Sequence, residues 1–151
     1  MSRGLGYVYK RQLQEQFANR SVHRIYHALI EGRPEKNNGI IHEWLLEDKF
    51  LRVKAVNKNH PNAKEAITYW SVEDSDEFAS LLSLTIETGR RHQIRVGLAN
   101  LGHPVVGDKQ HGAEGNPIGR IALHASSLEL LHPETDDPVR FEATIPFGPE
   151  N

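Results

Sequence analysis

Between Thr88 and Asp108 the chain reads TGRRHQIRVGLANLGHPVVGD, and its most reactive side chains are gathered there. Gly89 is followed by Arg90, Arg91, His92 and Gln93, with Arg95 four positions after Arg91. A guanidinium binds phosphate or carboxylate through parallel N–H donors. The start of a helix adds unpaired backbone N–H groups and the positive end of its dipole. A helix opening on Arg90 would favour an anion there and put Arg91 and Arg95 on one face. A phosphate-rich polymer suits such a surface; a solvated helix face is the plain alternative.

Other chemistries fit less well. His92, His103, His111, His124 and His132 show no HxxxH or HExxH spacing, so no metal site is expected. GxSxG is absent, which excludes a nucleophile elbow. The chain has no cysteine, hence no disulfide, thiolate ligand or Cys nucleophile, in keeping with a reducing cytoplasm. GLG at 4–6 lacks the continuation of a dinucleotide or P-loop signature. Tyr26 lies mid-strand beside Arg24 and His27 and, taken alone, reads as a half-buried sheet tyrosine.

The elements that would carry these groups are mostly strands. SVHRIYHALIEG puts Arg24, Tyr26, Ala28 and Ile30 on one face and Ile25, His27 and Leu29 on the other. GIIHEWLL, FLRVKAVN, EAITYWSVE and FASLLSLTIET follow, with Leu51, Val53 and Ala55 expected on one face and an acidic DSDE turn before the last. Ile94, Leu98 and Leu101 then recur at helical spacing, and Gly102 is a natural stop. IALHASSLELLHP and VRFEATIPF return to alternation, the latter with Val139, Phe141, Ala143 and Ile145 on one side. QLQEQFANR, with Leu13 and Phe17 four apart, reads as an amphipathic helix. The class is α+β, a central, mainly antiparallel or mixed sheet flanked by helices.

At 151 residues the chain is one domain or most of one. It has no apolar run of membrane-spanning length and no secretory h-region. The formal charge is −2, but it is unevenly spread. Arg3, Lys10, Arg11, Arg20, Arg24, Arg33 and Lys36 face only Glu15, Glu31 and Glu35 in the first 36 residues. Arg90, Arg91, Arg95 and Lys109 face only Asp108 over 88–112. A near-neutral chain with this asymmetry can present a basic face to nucleic acid.

The ordered motifs RIYHALIEG, AKEAITYWSV, TGRRHQIRV, LGHPVVGDKQHG, GRIALHASSLELLHP and FEATIPF, spanning roughly Leu13 to Phe147, resemble the RluA-type RNA pseudouridine synthases. The resemblance implies their catalytic-domain fold, a largely antiparallel sheet with flanking helices and a cleft across it. It implies cleavage of the N1–C1′ bond of a uridine in ribosomal or transfer RNA, rotation of the uracil and rejoining through C5. It implies no metal and no cofactor, and a monomer in the cytoplasm. Such chemistry needs a base drawn out of its stack and a carboxylate at the sugar C1′. By the same resemblance Tyr26 is the tyrosine that stacks on the uracil and helps remove the C5 proton. Arg95 pairs with the catalytic aspartate, and Leu123 lines the uracil pocket. Arg90, Arg91, His92 and Gln93 support the site or touch the RNA backbone. Gly97 and His111 depart from the usual pattern.

A larger departure concerns the nucleophile. The family carries it in HRLDxxTSG, ahead of the helix holding LQEQF. This chain has no HRxD, and no aspartate before Asp48. The expectation is a partial catalytic domain over 13–151, inactive as it stands. Residues 1–12 are an atypical N-terminus, in which VYKRQ matches a translated transposon end. A non-catalytic RNA-binding module and a fragment without independent function are the alternatives.

Overall fold

The computed structural model describes residues 23–131 and 138–142. Seven strands form one sheet: β1 (His23–Glu31), β2 (Asn38–Glu47), β3 (Val53–Val56), β4 (Lys64–Ser75), β5 (Ala79–Ile86), β6 (Leu123–Leu131) and β7 (Pro138–Glu142). Their order is β3-β2-β4-β5-β1-β6-β7, and every neighbouring pair is antiparallel. Helix α1 (Gln93–Asn100) and a single 3₁₀ turn (Lys109–His111) lie between β5 and β6. The expected helix at QLQEQFANR and the residues Ala143 and Ile145 lie outside the described residues.

β1 is central. His27, Ala28, Leu29 and Ile30 are all buried, so both of its faces are covered. On one face Tyr26, Ala28 and Ile30 align with Leu84, Leu82 and Ser80 of β5, and the row continues through Trp70 and Thr68 of β4 to Ile41 of β2. Ile94 and Leu98 of α1 join this row in the main core, while Leu45, Val53, Ala66 and Val96 form a smaller one. At about 25 cal/mol per Å² of buried apolar surface, these contacts are the chief stabilising contribution.

Gly97 explains how closely the helix sits. A Cβ there would lie 3.1 Å from Ile41 Cγ2 and 3.3 Å from Glu43 Oε1. Glycine lowers helix propensity by about 1 kcal/mol relative to alanine, and here it permits the helix to approach β2. The helix ends as the sequence predicts. Gly102 takes φ +96°, with its N–H on Ala99 O and the His103 N–H on Leu98 O, the double bond of a Schellman cap.

Two local expectations change. Leu51 is not a strand residue but the tip of the β2–β3 turn, with φ +62° and 53% of its surface exposed. The Asp48 carboxylate draws the chain round by accepting the N–H groups of Phe50 and Arg52. The Arg52 N–H above all holds the Asp48 carboxyl below the ordinary carboxylate range. The acidic turn also begins later than DSDE, because β4 runs through Ser75 and Asp76 Oδ1 closes the turn on the N–H groups of Phe78 and Ala79.

Candidate active site

The turn from Thr88 to Arg90 is held by one side chain. Gln93 Oε1 accepts from Thr88 Oγ1 at 2.7 Å and from the Arg90 N–H at 3.1 Å. Its Nε2 donates to Ile67 O and Thr68 Oγ1, each at 2.9 Å. Gln93 is buried, and these four bonds occupy its amide, so it braces the turn against β4.

This turn moves the helix start. His92 is the N-cap, with φ +55° in the left-handed region, and α1 begins only at Gln93. Arg90 and Arg91 therefore precede the helix, and the expected Arg91–Arg95 face does not form. Arg91 Nε turns to Glu47 Oε1 at 3.7 Å, and Arg90 Nε donates to Glu65 O at 2.9 Å. With Gly89 they line an open cleft of ≈ 470 Å³ that also includes Glu47, Asp48, Asn62 and Lys64.

Arg95 is fixed on the other side of α1. Its Nε and Nη2 donate to Asp108 Oδ2 and Oδ1 at 2.9 and 2.8 Å, a bidentate fork. Nη2 also reaches Gln110 Oε1 at 3.3 Å, and Nη1 reaches His92 Nε2 at 3.1 Å. A guanidinium has five N–H donors. Among the described residues these four bonds leave one N–H of Nη1 for a further acceptor. Asp108 is wholly buried, and the Arg95 side chain is 15% exposed. Gly107, at φ +85°, turns the chain into Asp108 where a Cβ would lie 2.2 Å from Arg120 O.

Tyr26 stands on the sheet face that packs against the same core. Leu123 pairs with Ala28, so it lies diagonally across from Tyr26, and both side chains pack on the cluster containing Ile94, Val105 and Val106. Ala125, small and exposed, is the residue opposite Tyr26. Arg24, two residues earlier on the face, reaches the turn, its Nη1 3.9 Å from where a Gly89 Cβ would be.

A bulge lies next to Tyr26, where β6 carries the extra residue Ser126, and a second lies in β4 at Glu73. Both bulged residues grip His27 from the opposite face, Ser126 Oγ at Nδ1 (2.6 Å) and Glu73 Oε1 at Nε2 (3.1 Å). The connectivity is that of a Ser–His–carboxylate relay, but Ser126 is buried at 7% exposure, which suits anchoring better than attack. Bulges re-aim side chains beside sites, and these two fix the strand that carries Tyr26. No group of three or more His, Cys, Asp or Glu is disposed to hold a metal ion among the described residues. Nor is any described helix long and apolar enough to cross a membrane.

The family model for RNA pseudouridylate synthase matches residues 7–100. The chain belongs to this family. The match starts inside the segment 1–12 that the sequence sets apart. Curated relatives include the uncharacterized RNA pseudouridine synthase YhcT of Bacillus subtilis, 36% identical over 92% of this chain and 46% of its own length. The ribosomal large subunit pseudouridine synthase C of Yersinia pestis is 32% identical over 89% of this chain and 44% of its own. The chain thus spans about half the length of such relatives. The solved human RNA pseudouridylate synthase domain containing 1 superposes with TM-score 0.77 at 26% identity, covering 91% of this chain and 60% of that one. The antiparallel sheet with its packed helix is the pseudouridylate synthase fold.

Of this neighbourhood, the sequence reading gave no site role to Asp108, His111 or Arg24. The signal for Asp108 was its place as the last residue of GHPVVGD, an acid directly preceded by glycine after an apolar pair.

Proposed function

We propose that this chain supplies the aromatic, apolar and cationic part of a uridine-to-pseudouridine isomerase acting on ribosomal or transfer RNA, as a monomer in the cytoplasm. The observation that carries the reading is Arg95, locked in plane by buried Asp108 with, among the described residues, one Nη1 N–H left for a further carboxylate. In the proposed reaction that carboxylate acts at C1′ as the N1–C1′ bond breaks. The uracil turns between Tyr26 and Leu123, C5 bonds to C1′, and the C5 proton leaves toward Tyr26 while N1 gains one. Atoms and electrons balance without a co-reactant. The attacking aspartate belongs to an HRxD segment that these 151 residues do not contain. RNA phosphates lie along Lys64, Arg90 and Arg91.

The test is tritium release from RNA labelled at uridine C5. The 151-residue chain is expected to release none. A longer polypeptide joining an HRxD segment to it is expected to turn over, and to stop on Tyr26→Ala or Arg95→Ala. Release by the short chain, or undiminished turnover in both variants, would overturn the assignment. RNA affinity should fall with salt, and Arg90→Ala should flatten the slope of log K against log salt by about one. An unchanged slope would remove the cleft from the RNA path.

A further inference from the structure

We infer that His92 is a positioning residue, whose neutral imidazole accepts a hydrogen bond from Arg95 Nη1 and so fixes the guanidinium plane that Asp108 grips from the other side. Its importance for turnover rests on the function proposed above; the positioning itself does not.

The geometry has three parts. A guanidinium has no acceptor, so the 3.1 Å contact requires Nε2 to be unprotonated and the ring proton to sit on Nδ1. His92 holds a left-handed backbone that side-chain-bearing residues seldom adopt, and that conformation both starts α1 and presents the ring to Arg95 one turn on. His111, on the 3₁₀ turn that Asp108 caps, meets the His92 ring edge-on at 5.8 Å and 87°. The Nδ1 of His92 and the Nε2 of His111 are buried and make no hydrogen bond among the described residues, so the pair is seated by shape.

Protonation would undo this. A proton on Nε2 would set one N–H against another, and a cation on His92 would face Arg95 from α1, Arg91 from the preceding turn and His111 from the 3₁₀ turn. Asp108 alone favours it, and both of its oxygens are engaged with Arg95. Burial first, then Arg95, His111 and Arg91, push the His92 imidazole below its ordinary value. Burial likewise lowers His111, against the opposing pull of Asp108. The sign follows. With its folded value depressed, His92 contributes stability that is present above its unfolded value of about 6.5 and is lost as pH falls through the folded one.

The test is nitrogen-detected NMR of the 151-residue chain. His92 is expected as the Nδ1–H tautomer titrating below 6.5, with slow exchange of the Arg95 Nη1 protons that accelerates at least tenfold as His92 protonates. His92→Gln, whose amide oxygen can take the place of Nε2, should keep the protection and remove its pH dependence. His92→Phe, which keeps ring shape without the acceptor, should lose it, and so should His92→Gly, which suits the backbone. Equal protection in His92→Phe, or wild-type exchange that ignores the titration, overturns the inference; the wild-type titration decides alone if a variant does not fold. None of these readouts involves RNA, so a longer polypeptide without turnover but with this exchange pattern would count against the proposed function only. In an active longer polypeptide, His92→Phe should cut kcat more than it raises KM, and His92→Gln should restore kcat and erase the acid limb of the pH profile.

Discussion

Arg95→Ala is expected to destabilise the folded chain by about 3–5 kcal/mol at pH 7, the range for stranding one member of a buried ion pair. Asp108 has no exposed surface, and both of its carboxylate oxygens accept from Arg95 at 2.8–2.9 Å. Truncation leaves a wholly buried carboxylate without its guanidinium partner. Urea unfolding at pH 7 measures the loss. The double replacement Arg95→Met, Asp108→Leu should fold better than Arg95→Ala, since an apolar pair of similar volume avoids the stranded charge. A loss under 1 kcal/mol for Arg95→Ala at pH 7 would mean that the fork contributes little to the fold.

Gly107→Ala is expected to cost roughly 2–5 kcal/mol, combining a left-handed backbone penalty of about 1–2 with an overpacking cost of about 1–3. The new methyl group would lie 2.2 Å from Arg120 O and 2.9 Å from Asn116 Oδ1. The strand end cannot move away cheaply, because Ala122 donates to Val106 O and accepts from the Leu29 N–H. Gly112 is the internal control. It has φ +98°, but nothing lies within 4 Å of its added Cβ. Gly112→Ala should show the backbone penalty alone, and the difference in Tm between the two variants isolates the clash. Equal losses would show that the contact at Gly107 relaxes freely.

Most of the strands were legible in the sequence because alternation and turn residues act locally. TGRRHQIR identified the helix but not its first residue. Arg90 and Arg91 are good helix formers, yet the Gln93 side chain occupies the Arg90 N–H and the chain passes through a left-handed His92 before winding up. That is a tertiary choice, made because Gln93 also reaches Ile67 and Thr68 on β4. The Arg95–Asp108 pair was hidden for a similar reason, since a loop of no regular pattern folds back on β1 to deliver the acid. Leu51 was misplaced because hydrophobic spacing cannot register an Asp48 side chain closing the turn on the backbone.

The order of the sheet also sets a timetable for synthesis. β1 is made early, but Tyr26 is framed by Leu84 on one side and Ala125 on the other. At about 5–20 residues per second, roughly 5–20 s separate translation of the tyrosine from that of its last neighbour. Through that interval the nascent β1 exposes an apolar strand with an unpaired edge, the kind of segment that chaperones shield and that misassociates when left alone. A ribosome stalled before β6 would thus hold a chain whose central strand has only one of its two neighbours.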